Sequence, residues 1–106
     1  MVSEMTPAEL AARWQNGPQP YVLDVREGWE RDLACLADTI HMPMNEIPDR
    51  LDEIPRNCEI VVMCKSGGRS LRVAQFLLQQ GFSPVVNLSG GILQWSASVD
   101  SSVPSY

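Results

Sequence analysis

Apolar residues along the second half of the chain fall into two kinds of run. Ile60-Val61-Val62-Met63-Cys64, preceded by Glu59, is an unbroken β-rich stretch, the pattern of a strand buried on both faces of a parallel sheet. From Arg69 the spacing becomes helical: Val73, Ala74, Leu77 and Leu78 share the inner face of an amphipathic helix running to Gln80, with Gly81 as its C-cap. Val85-Val86-Asn87-Leu88 predicts a further strand, and Gly90-Gly91 leads into a helix over Ile92 to Ala97. Residues 98–106 form a polar C-terminal tail. In the first half, Thr6-Pro7-Ala8-Glu9 predicts a helix start with Thr6 as N-cap and Glu9 closing a capping box. Leu10, Ala11 and Trp14 continue that helix until Gly17-Pro18 ends it. Tyr21 to Val25 predicts a short strand, Glu27 to Leu33 a short helix, and Thr39 to Met42 a brief strand stopped by Pro43. Asn45 to Ile54 predicts a helix with Pro48 near its start and Pro55 at its end. Strands alternating with helices imply an α/β domain on a mainly parallel central sheet flanked by helices. At 106 residues the chain is expected to form one domain, 1–106.

Composition narrows the partners. With 44% hydrophobic and 20% charged residues the chain can bury an ordinary core. A net charge of -5 argues against nucleic acid or an anionic membrane as partner. The Ile60–Cys64 run is too short to cross a bilayer. The N-terminus carries Glu4 and Glu9 and has no basic or apolar leader pattern, so a cytoplasmic protein is expected. Three cysteines, an odd count, then read as free thiols and not as a disulfide framework. Charge is also unevenly spread. Residues 1–59 hold twelve acids against five arginines, whereas residues 60–99 hold no acid and carry only Lys65, Arg69 and Arg72. An anion site in the second half is the functional reading of that asymmetry.

The segment Cys64-Lys65-Ser66-Gly67-Gly68-Arg69-Ser70 joins the buried strand to the helix, at the carboxyl end of a parallel strand where ligands bind in open sheets. Paired glycines let successive N–H groups turn inward as a nest for an anion, and the helix N-terminus adds its own unpaired amides. A cysteine at such a cradle is rich in thiolate and nucleophilic. Lys65 and Arg69 add positive charge. A Walker-type phosphate loop is excluded, because the lysine precedes the glycines.

On these residues the sequence resembles the single-domain rhodaneses, the thiosulfate and persulfide sulfurtransferases. Leu23-Asp24-Val25-Arg26-Glu27 is similar to the family's first core strand and turn, Ile40-His41-Met42-Pro43 to its short second strand, and Asn87-Leu88-Ser89-Gly90-Gly91-Ile92 with Trp95 to the strand and helix after the active-site helix. The tail Val99 to Tyr106 is similar to the end of rhodanese domains fused to enzymes that activate ubiquitin-like proteins. The resemblance implies that Cys64 accepts sulfur and that the amides of Lys65, Ser66, Gly67, Gly68 and Arg69 cradle the bound sulfur or oxyanion. It further implies that Arg69 closes the loop and helps hold an anionic donor, with Lys65 at the entrance. The same resemblance implies supporting roles for Asp24, Arg26 and Ser70. The partners implied are a small anionic donor such as thiosulfate, or a protein persulfide, and a thiol or cyanide acceptor, with no metal or organic cofactor.

Two rival functions share parts of this pattern. Dual-specificity phosphatases and arsenate reductases also run from cysteine to arginine between strand and helix, but with five intervening residues, where this chain has four, Lys65 to Gly68. Non-catalytic rhodanese-like interaction modules commonly lack the cysteine. Cys35 and Cys58 form no Cys-x-x-Cys pair and read as inert. His41 reads as structural, and Trp14, Trp29 and Trp95 as core or edge packing.

Overall fold

The computed structural model describes residues 2–17 and 20–106. Among the described residues five strands form one sheet: β1 (Ser3–Met5), β2 (Tyr21–Asp24), β3 (Ile40–His41), β4 (Ile60–Met63) and β5 (Val85–Leu88). Their order is β1-β5-β4-β2-β3 and every pairing is parallel, so the mainly parallel sheet expected from the sequence is parallel throughout. The helices are α1 (Pro7–Asn16), α2 (Gly28–Leu33), α3 (Gly68–Gln79) and α4 (Gly91–Ser98).

Strand alternation divides the apolar residues between two layers. Ile60, Val62 and Cys64 face α3 together with Leu23, Val25, Val73, Ala74 and Leu77. Val61 and Met63 face the opposite layer with Leu10, Val22, Leu88, Ile92 and Trp95. All four β4 side chains are buried, each worth roughly 2 kcal/mol. That double burial explains why β4 reads as a continuous apolar run, and it puts Cys64 on the α3 side at the strand's carboxyl end.

Most of the predicted boundaries hold. The Thr6–Glu9 capping box is formed reciprocally, with Glu9 N–H donating to Thr6 Oγ1 at 3.2 Å and Thr6 N–H to Glu9 Oε1 at 3.0 Å. α1 ends at Asn16, while the expected stop at Pro18 lies outside the described residues. α3 closes in a Schellman motif: Phe82 N–H reaches Leu77 O, Gly81 N–H reaches Leu78 O, and Gly81 takes the left-handed conformation at φ 92°. Leu78 is only partly buried.

One expectation fails. The segment predicted as a helix over Asn45 to Ile54 is two 3-10 helices, Met44–Asp49 and Leu51–Glu53, broken at Arg50. Pro48 lacks the N–H an α-helix needs there and its ring crowds the preceding turn. Tighter bonds such as Arg50 N–H to Ile47 O and Ile54 N–H to Leu51 O replace the α pattern. The short polar strand β1 has no counterpart in the sequence reading. It lies at the sheet edge beside β5, with Glu4 in register with Asn87.

Candidate active site

The loop from Cys64 to Gly67 turns out of β4 into α3. Gly67, the N-cap, is left-handed at φ 108°, a conformation glycine adopts without strain. The turn aims amide groups at the Cys64 sulfur: Gly67 N–H donates to Sγ at 3.1 Å, and the N–H groups of Ser66 and Ser70 also face it. Of the amides expected in the cradle, those of Ser66 and Gly67 thus converge on sulfur, joined by that of Ser70. Ser70 Oγ lies 3.3 Å from Sγ. Cys64 is 1% exposed. Burial pushes its thiol pKa up, but the Ser70 hydroxyl and these three N–H groups outweigh it and set the pKa below the ordinary value.

A second glycine pair supports the loop from behind. Ile92 N–H donates to Cys64 O at 3.0 Å and Leu93 N–H to Lys65 O at 3.1 Å, so the first turn of α4 holds the loop's carbonyls. Gly91, at φ 59°, makes this approach possible, because a Cβ there would overlap both carbonyl oxygens.

Arg69, which the resemblance has closing the loop and helping hold an anionic donor, is paired with an acid. Its guanidinium makes a bidentate pair with Glu30 of α2, at 2.6 and 2.8 Å, and is therefore a neutralised group. Glu30 is 2% exposed and also accepts from Tyr106 Oη at 2.6 Å and from Glu27 N–H at 3.0 Å. The Arg69 bonds, against the opposing effect of burial, hold its carboxyl down at about 2. Arg69's own pKa is raised in return, chiefly by Glu30.

Asp24 and Arg26 form the scaffold beside this pair. Arg26 is wholly buried. It donates to Asp24 Oδ1 at 2.9 Å, Asp24 Oδ2 at 2.8 Å, Ala34 O at 2.9 Å and Tyr106 Oη at 2.9 Å. Burial works against its charge, yet the bonds to Asp24 and Tyr106 raise its pKa. Arg31 adds a second cation on Asp24. Asp24 and Arg26 thus tie the end of β2 to Ala34 and Tyr106.

Tyr106 joins the clusters. Its hydroxyl bridges Arg26 and Glu30, its ring lies 4.8 Å beneath Lys65 Nζ, and Trp29 meets it edge-on with centroids 6.5 Å apart. The polar tail therefore packs against the site. Lys65 has no acidic partner among the described residues, which leaves it the uncompensated cation of the loop itself. Cys35 is exposed and Cys58 half-buried, both free. His41 Nε2–H donates to Arg26 O, 2.7 Å away. Trp14 and Trp95 pack together, whereas Trp29 is 62% exposed and meets Tyr106 edge-on. Among the described residues no group of three or more His, Cys, Asp or Glu is placed to hold a metal ion.

Residues 6–98 match the Rhodanese-like domain. The chain belongs to the rhodanese family. A protein named sulfurtransferase from Allochromatium vinosum is 35% identical over 91% of this chain and 90% of its own length. The putative sulfurtransferase YtwF of Bacillus subtilis is 32% identical over 89% and 90%. Among solved structures, a rhodanese-like domain protein from Staphylococcus aureus superposes with a TM-score of 0.86 at 26% identity, covering 99% of both chains. The matched region includes Cys64 and the whole of its loop. Glu30 and Tyr106 were missed by the sequence reading. Glu30 is one of twelve acids in its half of the chain and lies 39 positions from Arg69, and Tyr106 ends a polar stretch with no pattern of its own.

Proposed function

We propose that this rhodanese is a sulfurtransferase that carries a sulfane sulfur on Cys64, taking it from thiosulfate or a persulfide and delivering it to a thiol or cyanide. The observation that carries this reading is the Cys64 sulfur facing three backbone N–H groups inside a loop of four residues closed by Arg69. Such donors stabilise a thiolate, and after transfer they can stabilise charge on the outer sulfur.

In the first half-reaction the Cys64 thiolate attacks the outer sulfur of thiosulfate, forming a new S–S bond while the original S–S bond breaks and sulfite leaves with its electron pair. In the second, a thiolate or cyanide attacks the outer sulfur of the Cys64 persulfide, and Cys64 departs as thiolate. Each step moves one electron pair in and one out. The cycle is covalent and double-displacement. The donor meets Lys65 at the loop, since Glu30 already compensates Arg69. Trp29, exposed beside Tyr106, borders the same entrance.

Steady-state transfer from thiosulfate to cyanide tests the reading. Parallel reciprocal plots at varied acceptor are expected, with no hydrolysis of an aryl phosphate under the same conditions. Phosphatase turnover that depends on Cys64, without sulfur transfer, would move the assignment to the phosphatase-like reading.

A further inference from the structure

Cys64 begins a chain of polar contacts that runs across the sheet edge to β1. Ser70 Oγ is 3.3 Å from Cys64 Sγ and 2.5 Å from Asn87 Oδ1. Asn87 Nδ2 in turn lies 3.3 Å from both carboxylate oxygens of Glu4 and 3.3 Å from Gly67 O. Ser89 Oγ adds a bond to Glu4 Oε1 at 2.7 Å.

The direction of every bond in this chain follows from which groups can donate. A carboxylate and a peptide carbonyl only accept. Glu4 and Gly67 O together therefore require the amide nitrogen of Asn87 on their side, which turns its carbonyl oxygen to Ser70. That oxygen also only accepts, so the single Ser70 proton points at Asn87. What Ser70 offers Cys64 is then a lone pair, and the bond between them is S–H to Oγ. When Cys64 loses its proton to solvent, this bond cannot persist. The hydroxyl must rotate to donate to sulfur, and Asn87 Oδ1, on a residue only 4% exposed, gives up its donor.

We propose that Asn87, oriented by Glu4, is a positioning residue that holds the Ser70 hydroxyl away from Cys64, making Ser70 a two-position switch: acceptor to the thiol, donor to the thiolate or persulfide. The resting thiol is thereby held partly in check, and the pKa lowering that Ser70 gives Cys64 belongs to the donor position, reached when the hydroxyl turns from Asn87 to an anionic sulfur. The inference rests on Cys64 being the nucleophile. The other ionisable groups around the loop are Lys65 within it, Arg69 from α3 with Glu30 from α2 behind it, Arg26 paired with Asp24 at the end of β2, and Tyr106. α4 carries no ionisable side chain. None of these touches Ser70 or Asn87, so the switch can be altered without disturbing them.

The pH dependence of Cys64 alkylation by iodoacetamide, read by mass spectrometry in Cys35→Ser/Cys58→Ser protein, tests this with no sulfur donor present. A failure of sulfur transfer therefore leaves the test intact, and a failure here leaves sulfur transfer standing. Asn87→Ala removes the competing acceptor, while Gly67 O keeps Leu71 N–H as partner and Glu4 is exposed to water. The alkylation midpoint should fall by about one pH unit, and in a Ser70→Ala background the same substitution should leave it in place. A midpoint that does not fall, or falls equally in both backgrounds, overturns the proposal. If Asn87→Ala does not fold, the exposed variant Glu4→Gln decides. Its amide can donate to Asn87 and release the fixed orientation, whereas its lost charge acts alike in both backgrounds. A larger fall with Ser70 present supports the switch, and equal falls overturn it.

Discussion

Glu30→Gln isolates the Arg69–Glu30 ion pair. Gln keeps the shape of the side chain, but only one of its two terminal atoms can accept. One Arg69 N–H would then face an amide N–H₂ where it now meets Glu30 at 2.6 or 2.8 Å. The magnitude follows from the carboxyl's displacement from 4.5 to about 2, which corresponds to roughly 3 kcal/mol of stability at neutral pH. Because the folded pKa lies below the unfolded one, that contribution is complete above the unfolded value and is lost as pH falls toward the folded one. Urea unfolding of both proteins gives the readout. The wild type should exceed Glu30→Gln by roughly 3 kcal/mol near pH 7, and the gap should shrink to less than half by about pH 3. Other carboxylates titrate in both proteins and cancel in the difference. A gap that stays constant from neutral pH to about pH 3, or a gap below about 1 kcal/mol throughout, would refute the reasoning and reduce the Arg69–Glu30 contact to a surface pair.

Two further outcomes follow from the site. Lys65→Ala should lower kcat/KM for thiosulfate about fivefold, on the order of 1 kcal/mol for a partly exposed charge, and should flatten its decline across a salt series; equal salt slopes with unchanged activity would leave anion capture to the backbone amides alone. Gly91→Ala should lower Tm by on the order of 10 °C, since a left-handed backbone and two carbonyl overlaps both oppose the new Cβ. Gly28→Ala, where a Cβ meets nothing within 4 Å, is the control, and a similar Tm in the two variants would contradict the role given to Gly91.

What could be read from the chain divides along the range of the interactions. β4, the loop and α3 are contiguous, and each has a local cause: double-sided burial for Ile60 to Met63, glycine at Gly67, helical spacing from Val73 to Leu77. They were legible as strand, cradle and helix, with Cys64 at their junction. Contacts between distant segments left no such pattern. The sequence shows Arg69 as a free cation of an acid-free stretch, but the fold brings it Glu30 from α2 and brings Tyr106 across both. The charge balance at the loop therefore includes a carboxylate on Arg69 that the acid-free stretch did not show. β1 escaped notice for a related reason, since only Met5 of its three residues is buried and its pairing with β5 is wholly non-local. The 3-10 segment after β3 was misjudged because Pro48, near the start of the expected helix, lacks the N–H that an α-helix needs and crowds the preceding turn.

The central claim is that sulfur is carried on Cys64, and intact-protein mass spectrometry after incubation with thiosulfate tests it most directly. One added sulfur is expected, released by cyanide or reductant, mapped to the peptide containing Cys64, present in Cys35→Ser and Cys58→Ser and missing from Cys64→Ser. Loading that persists in Cys64→Ser, or that maps to Cys35 or Cys58, would contradict the account.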